Sequence, residues 1–322
     1  MSTVSLLRAH DYELETLRTK LAELLAPLGG MEAYVKPGDR VLLKPNLLTG
    51  ARPTKECTTR PEIIRVVAEA VIAVGGKPFV GDSPAFGSAK GVAKANGLAA
   101  VIEDLNIPLV EFKGKRYEAI GDSFDHLRLS KEAMDADVVI NLPKVKSHCQ
   151  ITLTMGVKNL FGCVPGKMKA WWHLEAGKDQ DRFGTMLVET ARAIAPNLTL
   201  IDGIIGHEGM GPSVGEPRDL GILGATDDVF ALDLSIATLL GVDTRTIPTI
   251  PAAEKLGLSP LSLDGVAFPL LTPQELAVTD WQLPERMMAI DFGAPRVLRS
   301  TFKHLYIKFI KEPLSAYTKT SA

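Results

Sequence analysis

The chain has 322 residues, of which 46% are hydrophobic and 23% charged, with a formal net charge of −2. That apolar content is enough for one large or two modest folded domains and excludes a disordered chain. The near-neutral balance gives no global pull toward nucleic acid or an anionic membrane, so any anion site must be local.

Leu14, Leu17, Leu21, Leu24, Leu25 and Leu28 recur at helical spacing before Gly29-Gly30, which predicts an amphipathic helix over 14–28 with a glycine stop. "DRVLLKPNLL" predicts a strand over 39–48, and Pro61 opens a helix over 61–76. The alternation continues with strand 77–84, helix 89–103, strand 109–112, a short helix at 131–135 and strand 136–143. Helix 183–195, strands 198–204 and 219–226, and helix 228–241 complete the pattern. Strands that are apolar on both faces and separated by helices predict an α/β fold: a largely parallel, Rossmann-like open sheet with helices on both faces, plus a C-terminal extension. Residues 1–258 are assigned to the α/β domain, as one body or as two lobes with the site between them. Residues 259–322 form the extension, ending in the basic-aromatic tail "RSTFKHLYIKFIKEPLSAYTK".

In such sheets ligands bind beyond the carboxyl ends of the strands. Each predicted strand is followed there by polar residues: Lys44 and Asn46, Asp82 and Ser83, the trio Lys144, Lys146 and His148, and finally Asp202 and Glu208. The glycine-rich "GVKNLFG" adds Lys158 and Asn159. The lysines are suited to neutralise a carboxylate or phosphate, and ammonium neighbours favour a neutral His148 able to accept a proton. A desolvated Lys158 is either an anion ligand or a nucleophile. His173, Asp202 and Glu208 are candidate metal ligands, although no tight metal-binding spacing supports them. Nucleotide fingerprints are absent, since "GVKNLFG" is not a phosphate loop.

Cys57, Cys149 and Cys163 are too few and too scattered for a four-thiolate cluster or a C-x-x-C pair. No basic-then-apolar leader opens the sequence, and no apolar run reaches about 18 residues. A cytoplasmic protein is expected, with no nucleic-acid partner; the basic-aromatic tail is read first as an amphipathic helix packed on its own domain, with a membrane-surface contact or a helix packed on a partner as the alternatives.

The phrases "LLKPNLL", "TTRPEIIRVVAEAV", "VGDSP", "VVINLPKVKSH", "GVKNLFGCVPG", "DGIIGHEGMGP" and "DVFALDLSIATLLG" resemble, in this order, domain-of-unknown-function family 362. Many members of that family resemble ferredoxins in an added cluster segment, which this chain lacks, so no iron–sulfur cluster is expected. The stretch "ADVVINLPKVKSHCQITLTMGVKNLFGCVPGKMKAWWH" more distantly resembles the catalytic domain of nickel-pincer lactate racemases. That resemblance implies a cofactor attached to Lys158, nickel on His173 and proton transfer by His148. An earlier acid/base histidine is missing from "VGDSPAFG", so a one-sided reaction is expected rather than racemisation.

Together these readings point to an isomerase- or lyase-like enzyme with a small anionic substrate, in which His148, Lys158 and Asp82 are catalytic. Lys44, Asn46, Ser83, Lys144, Lys146 and Asn159 bind the substrate, and the cofactor is unknown, either a divalent metal or a pincer-type group on Lys158. The alternative is a cofactor-binding or redox accessory protein for an iron–sulfur partner. A homodimer or a redox partner is compatible with either reading.

Overall fold

The computed structural model describes residues 2–118, 124, 126–166, 168–258, 262–290, 302 and 305–311. Its centre is a nine-stranded sheet. Strands Leu109–Val110, Lys77–Gly81, Arg40–Pro45, Val138–Leu142 and Leu198–Glu208 lie in that order, each parallel to its neighbour. Their side chains alternate between two cores as the strand period requires. Val41, Leu43, Val138 and Ile140 face one core, while Leu42 and Val139 face the other.

Helices cover both faces. Leu14–Leu25 and Pro61–Ala73 bury Leu17, Leu21, Leu24, Ile63, Ile64 and Val67 against the first core. Gly156–Leu160 and Gln180–Ile194 bury Val157, Leu160, Phe183, Met186 and Leu187 against the second. Each such large side chain contributes about 1.5–3 kcal/mol when fully buried. The α/β class and the mostly parallel sheet read from the sequence are what the chain forms.

Three local differences have physical reasons. The helix expected over 89–103 is two, Ala89–Ala95 and Leu98–Asp104, because Gly97 turns left-handed between them at φ 86°. The helix expected at 183 begins at Gln180, since the Asp179 side chain accepts the Asp181 and Arg182 backbone N–H groups. Pro143 does not end the strand region. Lys144–His148 resumes beyond it and pairs parallel with the far half of Leu198–Glu208, placing Asp202 opposite Lys144 and His207 opposite Lys146. Thr152–Thr154 and Glu216–Thr226 then add antiparallel partners, and Ser5–Arg8 closes the flank.

Residues following 258 return to the body. Val266–Ala267 pairs with Ser2–Thr3, and Leu276 and Trp281 are buried beside Leu6 and Ile222. Part of the basic tail lies outside the described residues, and Ile307–Lys311 forms a π-helical turn. Among the described residues no helix is long and apolar enough to cross a membrane.

Candidate functional site

At the carboxyl edge of the parallel strands, Lys44 is the last residue but one of the Arg40–Pro45 strand, with its side chain almost wholly buried. Its Nζ lies 2.9 Å from Asp82 Oδ1 and donates to the Pro45 carbonyl at 2.6 Å. Asp82 also accepts the Leu47 backbone N–H at 3.0 Å, which ties the ends of two neighbouring strands together. Gly162 presses onto this pair: a Cβ there would stand 2.1 Å from Asp82 Oδ1 and 2.6 Å from Lys44 Nζ, so no side chain fits. Asn159 donates to the Lys44 and Asn141 oxygens at 3.1 and 2.8 Å, and accepts from Asn46 at 3.0 Å. Asn46 in turn accepts from Lys146 at 2.8 Å. A continuous buried polar network therefore runs from Asp82 to Lys146.

Lys144 sits at a separate centre. Its Nζ donates to Tyr12 Oη, Glu56 Oε2 and Asp202 Oδ2 at 2.9, 2.9 and 3.0 Å, which uses all three of its N–H groups. Tyr12 completes the group by donating to Asp202 Oδ1 at 2.7 Å, and Arg60 pairs with Glu56 at 3.0 Å. Burial pushes the Glu56 carboxyl up from its ordinary range, with Lys144 opposing that shift, and burial pushes the Tyr12 phenol well up.

Lys146, by contrast, meets only neutral acceptors, Asn46 Oδ1 and the Cys57 carbonyl, each at 2.8 Å. Burial lowers its ammonium to about 8. Lys158, on the short helix Gly156–Leu160, makes no hydrogen bond or ion pair among the described residues and lies 4.5 Å from the Phe161 ring centroid. Burial, then the ammonium groups of Lys169, Lys146 and Lys44, hold it near 7. Lys169 donates to the Ser83 carbonyl and is lowered to about 8, again first by burial. Asp82, paired with Lys44, is the one carboxylate among the groups that shift Lys146 and Lys169, and no carboxylate is among those that shift Lys158. The helix bearing Lys158 is held by Asp233, which accepts the Gly156 and Val157 N–H groups at 2.7 and 3.0 Å.

His148 is buried, and burial, Lys158, Lys146 and His173 lower its imidazole well below the usual range. Its Nδ1 accepts the Gln150 backbone N–H at 3.1 Å, so the neutral ring carries its proton on Nε2. His173 Nδ1 lies 3.1 Å from the Ile290 carbonyl, and the ring stacks near Phe183 and edge-on to Phe161.

The structure thus brings together Lys44, Asn46, Asp82, Ser83, Lys146, His148, Lys158 and Asn159. Lys144 and Asp202 occupy the neighbouring ion-pair centre. Glu208 lies apart from both, accepting the Gln282 N–H at 3.0 Å. Among the described residues no group of three His, Cys, Asp or Glu side chains is placed to hold a metal ion, and His173, Asp202 and Glu208 have separate partners. Sequence reasoning missed Tyr12, Glu56, Lys169 and His207. His207 is fully buried opposite Lys146, and burial lowers it to about 4 while a backbone contact at Lys55 opposes the shift. Only the register of Leu198–Glu208 against Lys144–His148 reveals it.

Comparison with known proteins places these residues in context. A protein from Synechocystis sp. (strain ATCC 27184 / PCC 6803 / Kazusa), "Thylakoid-associated protein sll1697", is 64% identical over 318 residues, 99% of each chain. Among solved structures, the lactate racemase apoprotein from Thermoanaerobacterium thermosaccharolyticum aligns with a TM-score of 0.47 and 12% identity, over 73% of this chain and 57% of that one. The profile of the domain of unknown function DUF362 matches residues 41–238, which hold Lys44, Asp82, Lys146, His148 and Lys158, and the chain belongs to that family.

Proposed function

We propose that the chain is an enzyme for a small carboxylate- or phosphate-bearing substrate, held by Lys146, Lys158 and Lys169 beside the Lys44–Asp82 pair. The observation that carries this reading is the imbalance of charge: of Lys44, Lys146, Lys158 and Lys169 only Lys44 is paired with a carboxylate, and Lys158 has no hydrogen-bond or ion-pair partner among the described residues. An anion entering there restores the electrostatic balance and raises the depressed amines. Lys144, already neutralised by Glu56 and Asp202, fixes the strand edge and does not contact substrate. His148 stands beside Lys158 as the proton-transfer group, and the chemistry is isomerase- or lyase-like.

A second reading, a pincer-type cofactor on Lys158 with its metal on His173, is supported by one observation: both side chains lie against Phe161. Such a group would supply a metal centre able to take up hydride, while Lys146 and Lys169 would hold the substrate anion. The name of the Synechocystis relative supports placing the chain in an aqueous compartment at a membrane surface.

Native mass spectrometry of gently purified protein, with metal analysis, separates these readings. Substrate binding predicts a small dissociable anion that Lys158→Met loses; the cofactor predicts an added mass covalent at Lys158. The recovered ligand then tests chemistry, since His148→Gln must bind it and fail to turn it over. Turnover retained in that variant refutes the proton-transfer role.

A further inference from the structure

A cavity of about 380 Å³ opens beside the lysine cluster and shares a wall with it. Asp82 and Ser83 line the cavity, and the same two residues hold the cluster: Asp82 Oδ1 lies 2.9 Å from Lys44 Nζ, and the Ser83 carbonyl accepts from Lys169. Its volume falls in the range of small-molecule sites, about 300–1,000 Å³. Phe112 and Met168 give the lining an apolar part, Glu111 adds a second carboxylate, and Arg128 is the one cation among the described lining residues.

Arg128 belongs to the two-stranded ribbon formed by Gly114–Glu118 and His126–Ser130. Leu127 and Leu129, at the alternate positions, are buried in the second core, which turns Arg128 outward. The antiparallel register sets the exposed Arg116 directly opposite Arg128, a like-charge pair that costs stability and that a nearby anion relieves. Among the described residues the Arg128 guanidinium makes one hydrogen bond, a long one of 3.5 Å to the Gly114 carbonyl, and no ion pair. Gly114 leaves room for it, since a Cβ there would stand 2.8 Å from Arg128 Nε. Most of the N–H fork is open.

We propose that this cavity is a second subsite, in which Arg128 pairs with the far carboxylate of a substrate whose first anionic group sits at Lys146, Lys158 and Lys169. The substrate is then a dianion with an apolar middle. The planar fork suits a carboxylate and a phosphate alike, and charge separates them. A phosphate carries about −1.5 to −2, more than one arginine beside Glu111 balances, whereas a carboxylate carries a single charge. The inference rests on the anion-site reading above and names the substrate class.

The test is isothermal titration of the full chain with succinate, glutarate and adipate, each compared with the monoacid of its own length, butyrate, valerate or hexanoate. At least one diacid is expected to bind about tenfold more tightly than its monoacid. Arg128→Gln should erase that difference without weakening the monoacid. Arg128→Lys should keep part of it, because the charge stays and the fork is lost, and Glu111→Gln should widen it. Arg128 is exposed, so thermal midpoints should not move. Diacids that bind no more tightly than monoacids, with Lys158→Met weakening both, overturn the subsite and leave the anion site standing. A diacid preference that survives Arg128→Gln also overturns it, because the far carboxylate then lies elsewhere. If no acid binds the wild type, or if Lys158→Met binds every acid as the wild type does, the anion site and the subsite fall together.

Discussion

Lys158→Met tests the electrostatics of the lysine cluster through stability alone. Burial and the ammonium groups of Lys169, Lys146 and Lys44 hold the Lys158 amine near 7, whereas an unfolded lysine titrates near 10.4. Between those values the folded chain binds fewer protons than the unfolded one, so stability rises with pH across the window. Below about 7 the amine is charged in both states and the full penalty of burying it is present. The depression corresponds to at most roughly 5 kcal/mol, and solvent reaching this largely but not fully buried side chain screens it to ~2 kcal/mol. Methionine keeps an unbranched apolar stem while removing the ammonium and with it the cation–π contact with Phe161. In urea melts of ligand-free protein the variant should therefore be more stable than wild type by ~2 kcal/mol near pH 6, with the advantage shrinking toward zero near pH 10. A difference of constant size at both pH values refutes the reasoning, because it would mean that the substitution acts through packing.

Lys144→Met leaves Asp202 without its cation and Glu56 with Arg60 alone, and should cost ~3–5 kcal/mol in the same assay. Asp233→Ala strips both acceptors from the start of the Gly156–Leu160 helix and should cost about 1–3 kcal/mol, with weaker ligand retention because Lys158 and Asn159 ride on that helix. Anaerobically purified protein should show neither the visible absorption nor the stoichiometric iron and sulfide of a four-iron cluster, because the chain supplies three scattered cysteines. Finding both would require ligands from another subunit or other residue types.

The fold was legible where periodicity is local. The leucine spacing of Leu14–Leu25 and the apolar runs around Val41 and Val139 each specify an element without tertiary help. Most of the strand-end residues were legible for the same reason, since a parallel sheet delivers the ends of its strands to one edge. What remained hidden depends on long-range register. Lys144 and Lys146 are two residues apart on one strand, yet Lys144 meets Tyr12, Glu56 and Asp202 while Lys146 meets Asn46 and Cys57, and no local pattern distinguishes an ion-paired lysine from an unpaired one. Lys169 lies in the helix Met168–Glu175, whose short, aromatic "MKAWWHLE" has no clear apolar stripe.

The central claim is that the buried lysines form an anion site, and a ligand-independent measurement addresses it directly. Crystals soaked in bromide and measured at the bromine absorption edge should show an anomalous peak within contact of the Lys146, Lys158 or Lys169 amine, absent or displaced in Lys158→Met crystals. Bromide found only at the protein surface, with the lysine cluster empty, would contradict the account.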